Sequence, residues 1–219
     1  MTLSPLGRLR TLLVLACIAV SGLVGAAPLT RAQALAALSH IEPAQRLAGV
    51  QRLADIGTMA DADRLLSSLA DADAQSRVVT AAAVWQIWSR SGDTAIDKLF
   101  ARGVEQMAAA QLDDALATFS AIVRRQPAFA EGWNKRATVY FMLGRNEESL
   151  KDCDEVLKRN RNHFGALSGA GQIHLQLGNA REALDFFRRA VDVNPALEGP
   201  AQMIPLLEQL LRDKGQKST

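Results

Sequence analysis

The side chains that could do chemistry are few, and their spacing matches no catalytic or metal-binding motif. The histidines are His40, His163 and His174, and no two of them stand four residues apart as paired ligands on a helix would. Cys153 has no second cysteine or histidine at metal-ligand spacing. We therefore expect no metal ion, no cofactor and no enzyme activity.

Two further patterns have structural explanations. Gly165, Gly169 and Gly171 lack the preceding strand of a dinucleotide-binding loop, and they fall on a predicted helix. The acidic pairs 113–114 and 147–148 stand at predicted helix starts, where negative charge is favourable. Neither pattern indicates phosphate binding or a pair of catalytic carboxylates.

The remaining candidates are expected to serve the fold. Cys153 holds a predicted core position, where burial raises the pKa of a thiol and makes it unreactive. His174 is expected to pack against a neighbouring helix, and His163, at a boundary between repeats, to be exposed. Trp85 and Trp88 lie three residues apart on one predicted helix, which favours a core role over sugar stacking.

Composition predicts a folded domain without a nucleic-acid partner. Of 219 residues, 48% are hydrophobic and 22% charged, which is enough apolar material for a core and excludes a disordered chain. Lysine and arginine total 25 against 23 acidic residues, a net charge of +2, whereas nucleic-acid binding needs a basic patch. Two cysteines exclude a disulfide-rich scaffold.

The first residues have the pattern of an export signal. Arg8 and Arg10 precede an apolar run over 11–25, and small residues follow. A membrane-spanning helix needs about 20 apolar residues, so this run is short for one. We expect an exported, periplasmic protein, with retention as a membrane anchor through residues 11–25 as the alternative.

Small residues at two places fit the cleavage rule of a signal peptidase. One site follows Ala26 and the other follows Ala34, and the second is slightly preferred, which assigns 1–34 to the signal. Cys17 could instead accept a lipid, although apolar sequence continues well past it. Cleavage at either site removes Cys17 and leaves Cys153 alone, so no internal disulfide is expected.

A repeat of 34 residues occupies the second half of the chain, as blocks 96–129, 130–163 and 164–197. Several block positions keep a common character. Position 8 holds a small residue in every block (Gly103, Ala137 and Gly171), and so does position 20 (Ala115, Ser149 and Ala183). Position 24 holds an apolar one (Phe119, Cys153 and Phe187). Apolar residues recur at helical spacing on both sides of a turn, so each block predicts a helical hairpin.

These blocks resemble the tetratricopeptide repeat family. Two sets of residues carry the resemblance, one for each helix of the hairpin: Trp133, Ala137, Tyr140 and Gly144; Ala183, Phe187, Ala190 and Pro195. The first block departs from the pattern with Ala110 at the turn, and the second departs with Ser149 and Arg161. The resemblance implies an all-α fold, a right-handed α-solenoid of stacked hairpins.

The flanking segments are also predicted to be helical. Residues 41–92 contain a fainter repeat that resembles a HEAT repeat, with Asp73 and Arg77 at that family's bonding positions; a generic helical hairpin is the alternative. Residues 198–214 predict an amphipathic capping helix, which Pro205 would bend or delay.

The resemblance also implies a concave groove lined by the first helix of each hairpin. Its candidate residues are apolar in the first block and mainly uncharged and polar in the later ones: Phe100, Val104 and Met107; Asn134, Thr138, Phe141 and Met142; Ser168, Gln172, Leu175 and Gln176. The basic residues that grip acidic chaperone tails in some family members are absent. The groove could instead be covered by the chain's own tail or N-terminal helices.

Taken together, the sequence predicts a non-catalytic adaptor of the cell envelope that binds a peptide or protein segment in this groove. A structural subunit of an envelope complex or homodimer is the first alternative, motivated by the apolar tail 204–211. An accessory factor for cell-wall material is the second alternative, and its support is the pair Trp85 and Trp88.

Overall fold

A computed structural model describes residues 27–70 and 73–216 of the chain. Of the predicted export signal over 1–34, residues 1–26, which include the anchor segment 11–25 and Cys17, lie outside these residues. The described part consists of α-helices and one short 3-10 turn, and no strand occurs in it. This confirms the all-α solenoid predicted from the repeat.

The helices are bounded as follows: α1 Arg31–Ala37, α2 Pro43–Ile56, α3 Met59–Ser67, α4 Ala74–Trp88, α5 Thr94–Ala108, α6 Leu112–Arg125, α7 Ala130–Met142, α8 Asn146–Arg159, α9 Phe164–Gln176, α10 Ala180–Val193 and α11 Glu198–Gln216. Helices α5–α6, α7–α8 and α9–α10 form the three hairpins, one in each predicted block. The first helices of successive hairpins also contact each other.

The small residue at position 8 allows the two helices of a hairpin to approach closely. A β-carbon added at Gly103 would lie 2.6 Å from Cζ of Phe119, and one added at Gly171 would lie 2.6 Å from the ring of Phe187. In the middle hairpin the larger Ala137 shares a core cluster with the smaller Cys153. The sizes of the facing residues are therefore matched in each hairpin.

The turn of the first hairpin keeps the same backbone shape as the other two despite its alanine. Ala110 has φ of 57°, close to the 73° of Gly144 and the 76° of Gly178. An L-residue with a β-carbon is strained in this left-handed region by roughly 1–2 kcal/mol. The first turn therefore adopts the geometry of its counterparts at an energetic cost.

The middle hairpin is held by polar contacts between its two helices. The hydroxyl of Ser149 donates to the carbonyl of Ala137 at 2.7 Å. Arg136 donates through two nitrogens to the carboxylate of Asp152, both at 2.7 Å. Serine at a position that is alanine in the other blocks is thus satisfied inside the hairpin.

Helices α1–α4 form an N-terminal unit with its own core, which includes Leu53, Leu65 and Ile87. Helix α1 packs on α2 and begins with a capping box between Thr30 and Gln33. The bond after Ala34 lies inside this helix, and Ala34 is fully buried. Cleavage there remains a prediction, but it would divide a packed helix.

The N-terminal unit packs against the loops between the repeats. Trp88 of α4 shares a cluster with Phe164 at the start of α9, and Val193 and Leu197 border the same cluster. The side-chain amide of Gln126 donates to the carbonyl of Ser91 at 2.8 Å. The unit therefore contacts the α6–α7, α8–α9 and α10–α11 connections.

Helix α11 covers the apolar face of the last hairpin. It begins at Glu198, contains Pro205 within a continuous helix, and buries Leu207 to 2% exposure against α10. Leu206 and Leu210 face outward and are 59% and 41% exposed. The tail thus occupies the place expected of a cap, with an apolar strip on its outer side.

Candidate functional site

The groove is the surface formed by the first helices of the hairpins, α5, α7 and α9. A cleft of about 150 Å³ lies in it between α7 and α9. The cleft is lined by small, polar and apolar side chains and by no charged one: Asn134, Ala137, Thr138, Phe141, Ser149, Cys153, Gly165, Gly169, Gln172 and Ile173. The structure thus brings four of the predicted groove residues together: Asn134, Thr138, Phe141 and Gln172.

The polar residues of the cleft differ in what they offer to a ligand. Thr138 and Gln172 are exposed, and the Thr138 hydroxyl donates to the Asn134 carbonyl at 3.0 Å. Asn134 is 7% exposed and its amide already donates to Glu131. Gly169 presents backbone without a side chain, with only Cys153 Sγ as near as 4.0 Å to a built β-carbon. Gln172 and Thr138 are therefore the accessible polar groups.

Three of the predicted apolar groove residues lie in the core or pack against it. Phe100 is 8% exposed and packs edge-on against Phe119 and Phe129, with ring centroids 5.9 and 5.5 Å apart. Met107 borders the same cluster, and Leu175 packs under α11. Phe100 is thus placed where it supports the first hairpin instead of facing a ligand.

Other predicted groove residues are available at the surface. Val104 is 39% exposed, Met142 is 49% exposed, and Gln176 is also exposed. Ser168 is half-buried, and its hydroxyl has no hydrogen-bond partner among the described residues. The accessible groove is therefore less apolar than the sequence suggested.

Trp85 of the N-terminal unit closes one end of the groove. Its indole ring lies against Gly165, where a β-carbon would collide with it. The Lys135 ammonium lies 5.3 Å from the ring centroid, a cation–π arrangement. The chain's own N-terminal helices thus cover this end, while Thr138 and Gln172 remain open. Nothing local in the sequence indicates this contact.

Behind that end lies a buried acid–histidine pair. Glu131 and His163 are 1% and 0% exposed, and His163 Nε2 lies 2.9 Å from the Glu131 carboxylate. His163 Nδ1 accepts from the backbone N–H of Ala166 at 3.1 Å, so the ring proton is on Nε2 and is donated to Glu131. The prediction that His163 is exposed was wrong, because Trp88 stacks on its ring at 4.3 Å.

The environment of Glu131 keeps its carboxylate charged. Burial alone would raise the pKa of Glu131, but the hydrogen bond from His163 and the Lys135 ammonium at 3.2 Å lower it, and the net pKa lies below the ordinary value. The carboxylate is therefore a positioning group. It orients Asn134 and His163 where α7 and α9 meet the N-terminal unit.

The other candidates for chemistry have structural roles. Burial, with smaller contributions from Asp152 and Asp154, raises the pKa of the Cys153 thiol to about 12, as expected for an inert core cysteine. His174 stacks on Phe186 with centroids 5.4 Å apart. Trp88 is 3% exposed and Trp85 packs edge-on against it, so this pair offers no open platform for a sugar.

The part of the chain that the structure describes contains neither a cluster of metal-binding side chains nor a helix that could span a membrane. Histidine, cysteine and carboxylate side chains form no group of three or more that could hold a metal ion there. No helix within 27–70 and 73–216 is both long enough and apolar enough to span a membrane.

Comparison with known proteins finds a family model that matches the second and third hairpins. Residues 128–196 match the family model described as tetratricopeptide repeat (TPR). A TPR repeat-containing protein of Rhizobium etli is 31% identical over 124 residues, which cover 57% of this chain and 61% of that protein. The matched part thus spans about three fifths of the relative. The first hairpin precedes the residues that match the family but has the same architecture.

Solved structures show the same fold. The TPR domain of Sgt2 from Aspergillus fumigatus superposes with a TM-score of 0.53 at 16% identity, covering 58% of this chain and 85% of that one. The first TPR domain of Spaghetti (RPAP3), bound to an HSP90 peptide, gives 0.52 at 20% identity, covering 53% and 93%. The repeat region thus has the fold of TPR domains, the architecture that the sequence resemblance implied.

Proposed function

We propose that this chain is a non-catalytic interaction module whose TPR groove binds an extended peptide or protein segment. The observation that carries the proposal is the uncharged cleft between α7 and α9, with Thr138 and Gln172 open to solvent. A TPR domain of the same fold holds a peptide in a solved structure, which supports this use of the surface.

The lining of the cleft indicates what kind of segment it accepts. The Gln172 amide can donate to and accept from a peptide backbone at the same time. Phe141 supplies an apolar wall beside it, and Met142 lies next in the chain at the surface. Because no charged residue lines the cleft, a neutral segment with a small apolar side chain suits it better than an acidic tail. Binding through one cleft of this size is expected to be about micromolar.

Selected peptides can test this assignment. Peptides chosen from a random library on the purified chain would be measured by fluorescence anisotropy against the wild type and Gln172→Arg. We expect the arginine to weaken binding about tenfold or more, because it fills the cleft and brings a charge that must be desolvated. Gln51→Arg on the exposed side of α2 is the matched control for the same change at the surface elsewhere. Equal affinity of the wild type and Gln172→Arg would refute the groove as the binding site.

We further propose that the module works in the cell envelope after export to the periplasm, with retention through residues 11–25 as the alternative. The basic and apolar pattern of the first residues supports export. Processing after Ala26 would keep α1 whole, whereas processing after Ala34 would cut it. Fractionation of cells and mass spectrometry of the mature N-terminus test both points.

Self-association is a second candidate function, and the outer strip of α11 favours it. Leu206 and Leu210 are one helical turn apart and both exposed. If this strip joins two copies, light scattering will show a dimer that Leu206→Glu with Leu210→Glu converts to a monomer. A wild-type monomer at high concentration excludes the dimer.

A further inference from the structure

A second cavity, here called the junction cavity, lies where the N-terminal unit meets the loops between the repeats. It has a volume of about 250 Å³, and its walls include Met59, Trp88, Arg90, Gln126, Phe129 and Arg159. It shares no lining residue with the groove cleft. Met59 and Ala128 at its wall are exposed, so solvent and small solutes can reach it.

Two buried polar atoms on its lining side chains have no hydrogen-bond partner within residues 27–70 and 73–216. They are Nε1 of Trp88, which can only donate, and Oε1 of Gln126, which can only accept. The orientation of the Gln126 amide is fixed, because its Nε2 donates to the Ser91 carbonyl at 2.8 Å. A buried polar group without a partner costs about 1–3 kcal/mol. One donor and one acceptor on lining residues are thus unsatisfied, and because both atoms are closed off from solvent, a ligand in the cavity reaches them when these side chains shift.

The charged groups at the wall are both cations. Arg90 uses one nitrogen to donate to the Gly57 carbonyl at 2.8 Å and makes no ion pair with a described carboxylate. Arg159 pairs with Glu155 at 2.6 Å, and that carboxylate is not part of the lining. A guanidinium has five N–H donors, so both side chains keep donors to spare. The cavity therefore favours an anion over a neutral or cationic ligand.

We propose that the junction cavity binds an organic carboxylate that carries an amide N–H beside it and an apolar side chain. The carboxylate accepts from Arg90 and from the Trp88 indole, and the amide N–H donates to Gln126 Oε1. The apolar portion packs on Phe129 and Met59. An N-acylated amino acid and the last residue of a peptide share this chemistry. The proposal is independent of the groove.

The first experiment uses N-acetyl-L-leucine as the probe and N-acetyl-L-leucinamide as its uncharged match, titrated into the full chain. The readouts are tryptophan fluorescence and the methyl NMR signals of labelled methionines. We expect saturable binding of the carboxylate, a shift of the Met59 methyl signal, and an unmoved Met142 signal. The amide is expected to bind about tenfold to hundredfold more weakly, because it loses a charge-assisted hydrogen bond. Equal binding of both probes, or none, would overturn the proposal.

Variants then locate the site. Arg90→Gln removes the cation and keeps a donor for Gly57, and Arg102→Gln on the exposed side of α5 is the charge-matched control. Ala128→Leu fills the cavity and leaves every charged residue in place. It is the second cavity variant, to be used if Arg90→Gln does not fold. Both cavity variants should weaken the probe about tenfold or more, and the control should not. A folded cavity variant that binds as the wild type does would contradict the assignment.

The same assay distinguishes the two sources of the ligand. A short peptide that ends in leucine with a free carboxylate is compared with N-acetyl-L-leucine. Tighter binding of the peptide identifies a protein C-terminus, and tighter binding of the small probe identifies a free metabolite of this class. Loss of both on Arg90→Gln is the result expected in either case.

Discussion

Replacing a single glycine of α9 by alanine should have opposite effects at two neighbouring positions. A β-carbon at Gly171 would lie 2.6 Å from the ring of Phe187, which is 2% exposed and enclosed in the core. At Gly169 the nearest atom would be Cys153 Sγ at 4.0 Å, an ordinary contact. Both variants carry the same substitution in the same helix. The difference between their free energies of unfolding therefore measures the contact between Gly171 and Phe187.

The magnitude follows from two opposing terms. Alanine in place of glycine within a helix stabilises by about 1 kcal/mol, and overpacking a core costs about 1–3 kcal/mol. We therefore expect Gly169→Ala to raise the free energy of unfolding by about 0.5–1 kcal/mol. At Gly171 the β-carbon would come far inside contact distance of an enclosed ring, so the overpacking cost lies at about 2–3 kcal/mol and the net loss is about 1–2 kcal/mol. Urea unfolding followed by far-UV circular dichroism measures both values.

A second substitution in the facing helix sharpens the test. Phe187→Cys copies the middle hairpin, where Ala137 faces Cys153. In that background the added methyl group of Gly171→Ala no longer meets a ring, so its effect should become neutral or stabilising. The reasoning would be refuted if Gly171→Ala left the wild-type stability unchanged or raised it.

Three more predictions concern the turns, the buried acid and the N-terminal helix. Ala110→Gly should stabilise by about 1 kcal/mol in thermal unfolding, because it relieves a positive φ; a destabilised variant would contradict this. Folding lowers the pKa of Glu131 below 4.5. The ionised carboxylate therefore adds its full contribution to the free energy of unfolding above that pH, and this contribution is lost as the pH falls through the folded-state pKa. Glu131→Gln should therefore flatten acid unfolding more than the exposed Glu105→Gln does, and identical pH profiles would refute the assignment. Arg31→Gln should lower the urea midpoint of unfolding, because the buried carboxylate of Asp61 loses its two hydrogen bonds from Arg31; an unchanged midpoint would show that this contact does not stabilise α1 on the N-terminal unit.

Local pattern was sufficient to predict the repeats. The period, the two helices of each hairpin and the turns at Gly144 and Gly178 all depend on residues close in sequence. The small residue that the repeat places at position 8 lies at a close helix contact, as Gly171 does against Phe187. Even the departure at Ala110 marks a turn of the same shape. These features arise within one hairpin, so a single repeat carries the information for them.

Features that depend on contacts between distant parts of the chain could not be predicted from local sequence patterns. His163 is buried because Trp88, on a helix far earlier in the sequence, stacks on it. Phe100 packs into the core because the first hairpin needs it between Phe119 and Phe129. Helix α1 was not predicted, because its alanines, Ala34 among them, also fit the cleavage rule of a signal peptidase. Helical periodicity describes which residues share a face, but it does not say which unit will cover that face.

The most direct test of the groove as the binding surface is a methyl NMR titration with a library-selected peptide. Labelled methionines report on separate places: Met142 is exposed at the end of α7, Met59 lines the junction cavity, and Met203 lies on the inner face of α11, against the last hairpin. The account predicts that the Met142 signal shifts with saturation while the Met59 and Met203 signals stay. A shift confined to Met59 or Met203, with Met142 unmoved, would contradict the assignment of the groove.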